Sequence, residues 1–290
     1  MRIASIVVTF NRSRILAESL GALLAQTRLP DHVLVVDNGC TDDTTAMLAR
    51  DFPKLEVVST GENLGYGAGL AVGMRACQGR GIDAYWLMDD DSRPESGALE
   101  ELVRALELTP AAAVVALRGG LLKGGVIRHL KDPRAVERCP RLGPGVHSVD
   151  FVLVDGALIL QRAVDAVGYP REDLFMMMED IEYGLRITRA GLAVGVLACD
   201  LMQRRNLGQH SGRSGAPLWR RYYKTRNHVR IALESRSPAM IAGCAARQLR
   251  FLIAAALAPR QRVARMHAIL TGLRDGILGR MGRTLEPSGD

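Results

Sequence analysis

Cysteine is scarce in this chain and carries no pattern: Cys40, Cys77, Cys139, Cys199 and Cys244 are spread over 290 residues without a CxxC spacing. An odd, scattered set argues against a disulfide framework or a zinc site, and it fits a reduced, cytosolic setting. Aromatic residues make up only 4% of the chain, so the interleaving of basic and aromatic side chains that reads RNA is missing. There is no long apolar run at the amino terminus either. Met1 to Phe10 reads as a short strand without the apolar core of a signal peptide, and nothing there marks export.

Core-forming residues are plentiful. Hydrophobic residues reach 48%, enough to bury one large domain, or one with an appendage, and disorder is expected only at the end. A formal charge of +7 favours phosphate-bearing partners: nucleic acid, anionic lipid or a pyrophosphate substrate. The basic residues crowd late, from Arg204 and Arg205 through Arg220, Arg221, Lys224 and Arg226 to Arg247, Arg250, Arg260 and Arg262. Without aromatics among them, no nucleic-acid partner is expected.

To about residue 120 the chain alternates two periodicities. Ile3 to Val8, His32 to Val36, Leu55 to Val58, Ala84 to Met88 and Ala112 to Leu117 read as strands; Arg14 to Ala25, Thr41 to Arg50, Tyr66 to Cys77 and Ser96 to Glu107 read as helices. This predicts an α/β fold, Rossmann-like, with a mostly parallel sheet and helices on both faces. The tips after Val8, Val36 and Met88 then gather on one edge, where open α/β sheets bind ligands.

Each tip is polar. The third carries Asp89, Asp90 and Asp91; adjacent acids repel one another and are tolerated where a cation sits. Asp89 and Asp91 point the same way and suit a hard divalent metal carrying a diphosphate, whereas the ordinary alternative is a solvated acidic turn. Thr9, Asn11 and Arg12 follow the first strand. Asp37, directly after the second, is placed for a ribose hydroxyl or a uracil edge, with Thr41 read as a helix cap. Gly61 to Gly69, with Asn63 and Gly65, is a glycine-rich turn that permits close backbone approach to a nucleotide, although its spacing is not that of dinucleotide-binding folds.

Taken together, Ile6 to Arg12, Val35 to Gly39, Glu62 to Gly69 and Met88 to Asp91 resemble, in order, the motifs of family 2 glycosyltransferases of the GT-A fold. The triple Asp is similar to galactofuranosyltransferases of actinobacterial cell-wall galactan assembly, and the short length to the initiating enzymes among them. The resemblance implies an inverting, metal-dependent transfer of galactofuranose from UDP-galactofuranose to a polyprenyl-diphosphate-linked saccharide. A dTDP-rhamnose-dependent rhamnosyltransferase and a silent sugar-nucleotide-binding protein are the alternatives.

The resemblance also carries residue roles. Thr9, Asn11, Arg12, Asp37, Asn63, Gly65, Asp89 and Asp90 are expected around the nucleotide, Asp89 at the ribose or behind the metal and Asp90 holding the loop. Asp91 is expected to ligate Mn²⁺ or Mg²⁺, with His210 of the run Asn206 to Gly212 completing the site. Asp155 and Gly156 match an acceptor-side strand where a small residue admits the donor sugar. Glu179 and Asp180 match an acidic motif opening a helix, where acids are favoured by the helix dipole in any case; the resemblance makes Asp180 the general base and Glu179 an acceptor-positioning residue. Trp219 and Tyr222 are expected to stack on a sugar, with nearby Arg and Lys gripping pyrophosphate, the alternative being a solvated amphipathic helix.

The catalytic domain is expected over about residues 1 to 216, with a nucleotide half to about 120 and an acceptor half after it. Residues 217 to 290 are expected to form helices. Ala239 to Leu257 is apolar but interrupted by Arg247 and Arg250, too charged for a membrane span. With Gln261 to Leu278 it suits amphipathic helices on an anionic bilayer or between subunits. The implied location is the inner face of the plasma membrane.

Overall fold

A computed structural model describes residues 1–204 and 217–287. The amino-terminal half runs β1 (Ile3–Thr9), α1 (Ser13–Leu24), β2 (His32–Asp37), α2 (Thr44–Asp51), β3 (Glu56–Ser59), α3 (Tyr66–Ala76), β4 (Ala84–Asp89), β5 (Ser92–Pro94), α4 (Ala98–Leu108), β6 (Ala112–Ala116), β7 (Gly119–Lys123) and β8 (Val126–His129). Then follow α5 (Pro133–Glu137), β9 (Arg141–Gly143), β10 (Val146–Ser148), β11 (Phe151–Val152), β12 (Ala157–Leu160), α6 (Gln161–Val167), α7 (Glu179–Arg189), β13 (Ala193–Leu197) and β14 (Met202–Arg204). Three helices close the chain: α8 (Leu218–Glu234), α9 (Pro238–Ala256) and α10 (Arg262–Leu278).

Nine strands form the central sheet in the order β3-β2-β1-β4-β12-β6-β13-β10-β9. β1, β2, β3 and β4 are mutually parallel, as is β13 with β6, while β12 lies antiparallel between β4 and β6. Residues of β1 alternate between two cores. Ala4, Ile6 and Val8 face one with Leu70, Met74 and Tyr183, and Ile3 and Val7 face the other with Leu16, Leu20, Leu99 and Leu102. Helices on both faces exclude water from both, which is why these strands read as nearly unbroken apolar runs rather than alternating ones. The strand order reverses at β1, where the chain that has built outward through β2 and β3 returns to add β4 on the other side, the switch point that opens a crevice at the strand tips.

The last three helices are part of this body. Gly272 and Gly276 let α10 run against the Tyr222 and Arg226 carbonyls of α8, where a Cβ would collide. The Tyr222 hydroxyl donates to Asp275 at 2.8 Å, and the Arg226 guanidinium donates to the Gly282 carbonyl at 2.7 Å. α9 is long and apolar enough to cross a membrane by length and composition. It nevertheless buries Met240, Cys244 and Gln248 and exposes the stripe Ile241, Leu249, Ile253 and Leu257, the last 78% exposed.

Candidate active site

The parallel register sets the strand tips side by side. Thr9 pairs with Asp37 and Val8 with Asp89, so the three polar tips share one level. Asp90 turns inward: its carboxylate accepts from the Thr9 hydroxyl at 3.0 Å and the Arg12 guanidinium at 2.9 Å, while the Ser19 hydroxyl on α1 donates to its carbonyl at 2.7 Å. Burial raises the Asp90 carboxyl, Asp91 adds repulsion, and Arg12 and Thr9 offset part of it. Arg12 is itself disfavoured by burial, but Asp90, Asp91 and Asp89 outweigh that and push its pKa up. Asp91 stays partly exposed, with Arg12 at 3.4 Å. Its oxygen-donor chemistry suits a hard divalent cation that phosphate oxygens would help to ligate. Among the described residues no group of three or more His, Cys, Asp and Glu is gathered to hold an ion alone.

Asp155 buttresses this edge from β12. Its carboxylate accepts the Asp89 N–H at 3.0 Å and the Ser92 hydroxyl at 2.8 Å. Behind it the phenol of Tyr66 is buried, and its pKa lies well above the ordinary value, first from burial and then from Asp89, Asp155 and Glu179. The Tyr66 hydroxyl has no hydrogen-bond partner among the described residues, and its N–H donates to the Phe175 carbonyl at 2.9 Å.

That wall is the loop before α7. Phe175, Met177 and Met178 all take positive φ, at 59°, 71° and 75°, a conformation that costs a non-glycine residue roughly 1–3 kcal/mol and persists only when neighbours impose it. Asn227 imposes it: its amide donates to the Leu174, Met176 and Met177 carbonyls at 2.9, 2.8 and 2.7 Å, and Arg226 donates to the Leu174 carbonyl at 2.9 Å. Both residues are fully buried. Left-handed Met178 then starts α7, so Glu179 and Asp180 occupy its first turn. Burial raises both carboxyls, and their proximity raises Glu179 further. The Ile181 N–H at 2.7 Å, Lys224 and Arg118 pull Asp180 back down. One Glu179 oxygen is buried without a hydrogen bond among the described residues.

Several expected site residues have partners within the protein. Gly65 and its neighbour Gly67 admit close protein approach: a Cβ at Gly65 would fall on the Phe175 carbonyl, which accepts the Tyr66 N–H at 2.9 Å, and one at Gly67 would fall on the Arg171 carbonyl. Asn63 is buried, accepting from the Gly65 N–H at 2.9 Å and the Asn38 amide at 3.3 Å. Asp37 is buried as well, accepting the Cys40 N–H at 2.8 Å and the Thr45 hydroxyl at 2.9 Å. Asn11 accepts the Thr41 N–H at 2.7 Å, and Asp42, not Thr41, meets the first N–H of α2. These residues shape the crevice walls.

Gly156 is required by its φ of 80° and packs on Met202 and Leu117. Asp155 accepts from Asp89 and Ser92 and so braces the aspartate edge. Tyr222 is 2% exposed and bonded to Asp275 and Thr284, so it cannot stack on a ligand; helix pairing with α10 has consumed it. Trp219 is buried against Tyr223 with the Arg220 guanidinium over its ring. His210 lies outside the described residues. The described backbone before it ends at Arg204, paired with Ser92 beside Asp91. Sequence reasoning missed Tyr66, Arg226 and Asn227. The available signal was a run of polar residues, Thr225 to His228, on a helix rich in aromatics.

Residues 5–144 match the family described as Glycosyl transferase family 2. The chain is 34% identical over 204 residues to galactofuranosyltransferase GlfT1 of Mycobacterium tuberculosis, covering 66% of each. It is 31% identical over 207 residues to GlfT1 of Mycolicibacterium smegmatis, covering 67% of each. The chain therefore covers just under two thirds of the first of these relatives. It is 29% identical over 230 residues to N-acetylglucosaminyl-diphospho-decaprenol L-rhamnosyltransferase of M. tuberculosis, covering 68% of this chain and 74% of that one. The fold is similar to S. aureus TarS 1–349 in complex with UDP, with a TM-score of 0.60 at 15% identity over 96% of this chain and 92% of that one.

Proposed function

This chain belongs to glycosyltransferase family 2, and on that premise we propose that it transfers galactofuranose from UDP-galactofuranose to a polyprenyl-diphosphate-linked saccharide in cell-wall galactan synthesis, with inversion. One observation carries the reading: the partly exposed carboxylate of Asp91 stands at the strand tips, and those of buried Glu179 and half-buried Asp180 stand at the start of α7, with the Tyr66 hydroxyl near Asp89, Asp155 and Glu179. Separate carboxylate sets on opposite walls are what displacement at an anomeric carbon requires, one beside the leaving group and one beside the attacking hydroxyl.

In this mechanism the acceptor hydroxyl attacks the anomeric carbon from the side opposite the nucleotide. The bond to the diphosphate breaks with its electron pair leaving on phosphate, and Asp180 takes the hydroxyl proton. A carboxyl raised by burial holds a proton more firmly than an ordinary aspartate, which matches it to this task. Asp90, Thr9 and Arg12 keep the strand tip rigid. Asp91 and His210 are the residues that would hold Mn²⁺ or Mg²⁺, which would neutralise charge on the departing diphosphate.

The exposed stripe of α9, flanked by Arg250, Arg260 and Arg262, supports peripheral binding to an anionic bilayer, where such an acceptor resides. The rhamnosyltransferase relative keeps a dTDP-rhamnose donor as the second reading. Incubating the purified protein with UDP-galactofuranose, dTDP-rhamnose and other sugar nucleotides, plus synthetic lipid acceptors, and weighing the products decides between them. Product from dTDP-rhamnose alone overturns the galactofuranose reading.

A further inference from the structure

Residues 279–287, beyond α10, fold back along α8 and reach the loop that leads into Glu179 and Asp180. Gly279 and Gly282, with φ of 71° and 77°, make the turns that this course requires. The Gly282 N–H donates to the Asp173 carbonyl at 2.7 Å, and Met281 joins the apolar cluster that holds Leu174 and Met178. Two tyrosines of α8 fix the rest of the segment. The Thr284 hydroxyl lies 2.7 Å from the Tyr222 hydroxyl, and Leu285 both accepts from the Tyr223 hydroxyl at 2.7 Å and donates its N–H to it at 3.0 Å.

Arg226 ties this segment to the loop from beneath. Among the described residues its buried guanidinium donates to four neutral acceptors: the Asn227 side-chain oxygen at 2.8 Å, the Leu174 carbonyl at 2.9 Å, the Gly282 carbonyl at 2.7 Å and the Thr284 hydroxyl at 3.0 Å. A buried cation is tolerated only where its donors are matched, and the segment beyond α10 supplies two of the four acceptors. Arg283 ties it from above. Its guanidinium lies over the Phe175 ring at 5.8 Å and donates to the Asn63 carbonyl at 3.2 Å, while Glu286 holds its other edge at 2.6 Å. Gly65 lies so close to Phe175 that a Cβ there would meet both its carbonyl and its ring, so the glycine-rich turn and the loop touch at Phe175 and Arg283 spans their seam. A planar guanidinium can stack on a ring and donate in its own plane at once.

We propose that Arg283 is a positioning residue for transfer: with Gly282 it clasps the loop at residues 173–178 to the glycine-rich turn, so that Glu179 and Asp180 keep their place at the start of α7. This assignment rests on the reading of Asp180 as the general base. Asn63 also receives the Asn38 amide at 3.3 Å, and Asn38 directly follows Asp37 at the tip of β2, so the clasp joins the loop to the edge where the nucleotide is proposed to sit. The Arg283 side chain is itself 35% exposed and its ion pair with Glu286 lies at the surface, so its contribution to overall stability is small. That separates a positioning role from a merely structural one.

The test compares the full chain with Arg283→Ala and Arg283→Lys by hydrogen exchange with mass spectrometry, calorimetry and transfer kinetics. In Arg283→Ala, amides at residues 64–70 and 172–182 should exchange about fivefold faster or more, as local opening becomes easier. The melting temperature should stay within about 4 °C of wild type. The kcat should fall by about tenfold, since a base shifted by a fraction of an ångström loses its alignment, with the donor KM unchanged. Arg283→Lys, which keeps a charged donor for the Asn63 carbonyl, should recover part of both the protection and the rate. Unchanged exchange in Arg283→Ala overturns the clasp. Faster exchange with wild-type kcat, or a raised donor KM at wild-type kcat, overturns the positioning role. The transfer reading fails separately, by absence of product from wild type with any donor, and the exchange measurement still decides the clasp because it requires no turnover.

Discussion

Asn227→Ala isolates the restraint on the catalytic loop. The side chain has two N–H donors for three carbonyls, those of Leu174, Met176 and Met177, so at least two good hydrogen bonds are lost together. Leu174 keeps the Arg226 donor, so the Met176 and Met177 carbonyls are left without one, at about 1–3 kcal/mol each, which puts the loss at about 2–6 kcal/mol if the loop stays in place. At about 2–4 °C per kcal/mol for domains near this size, the melting temperature should fall by about 4–24 °C. If the loop instead relaxes its positive φ angles at Phe175, Met177 and Met178, the thermal loss shrinks but Glu179 and Asp180 shift. The turnover rate should then fall while UDP affinity holds, because the loop lies opposite the aspartate edge. Differential scanning calorimetry, UDP titration and transfer rates on the same preparation separate the two outcomes. Asn227→Asp, which sets a carboxylate against carbonyl oxygens, should be at least as damaging. Wild-type melting and wild-type turnover in Asn227→Ala would refute the idea that this residue holds the loop.

Asp180→Asn should lower the transfer rate by roughly a hundredfold or more with little change in UDP affinity, and near-normal turnover in the folded variant would move the base to Glu179 or Glu182. Folded-state pKa values of Glu179 and Asp180 are raised, so their contribution to stability is present below the ordinary carboxylate range, about pH 4, and lost as pH rises through the folded values. Asp180→Asn and Glu179→Gln should therefore melt higher than wild type at neutral pH, with the gain shrinking toward about pH 5; a gain independent of pH would contradict the shifts. Chelation should abolish transfer, and Asp91→Asn or His210→Ala should weaken UDP binding in Mn²⁺, whereas full turnover in excess EDTA would rule out the metal role. Leu249→Ser with Ile253→Ser should reduce vesicle binding generally, and Arg260→Ala with Arg262→Ala should reduce it for anionic vesicles only. Unchanged sedimentation with vesicles would leave the α9 stripe to a subunit contact.

The strand and helix periods of the first 120 residues, read without coordinates, determined the layered sheet and the edge where Thr9, Asp37 and Asp89 meet. Those are local properties, since apolar runs and polar tips are written residue by residue. The antiparallel course of β12 was not legible, because a buried strand has the same composition in either direction. Asp37, Asn63, Gly65 and Tyr222 look like ligand contacts in sequence. Packing across more than twenty residues engages Asn63, Gly65 and Tyr222, whereas Asp37 is held by Cys40 and Thr45 a few positions on. Asn227 and Arg226 were the least visible, since their partners are main-chain carbonyls some fifty positions away, and a carbonyl carries no sequence signature. Sequence determined which acids could do the chemistry; the tertiary structure decided which are free to do it, because burial and hydrogen bonding are properties of neighbours that the fold alone assembles.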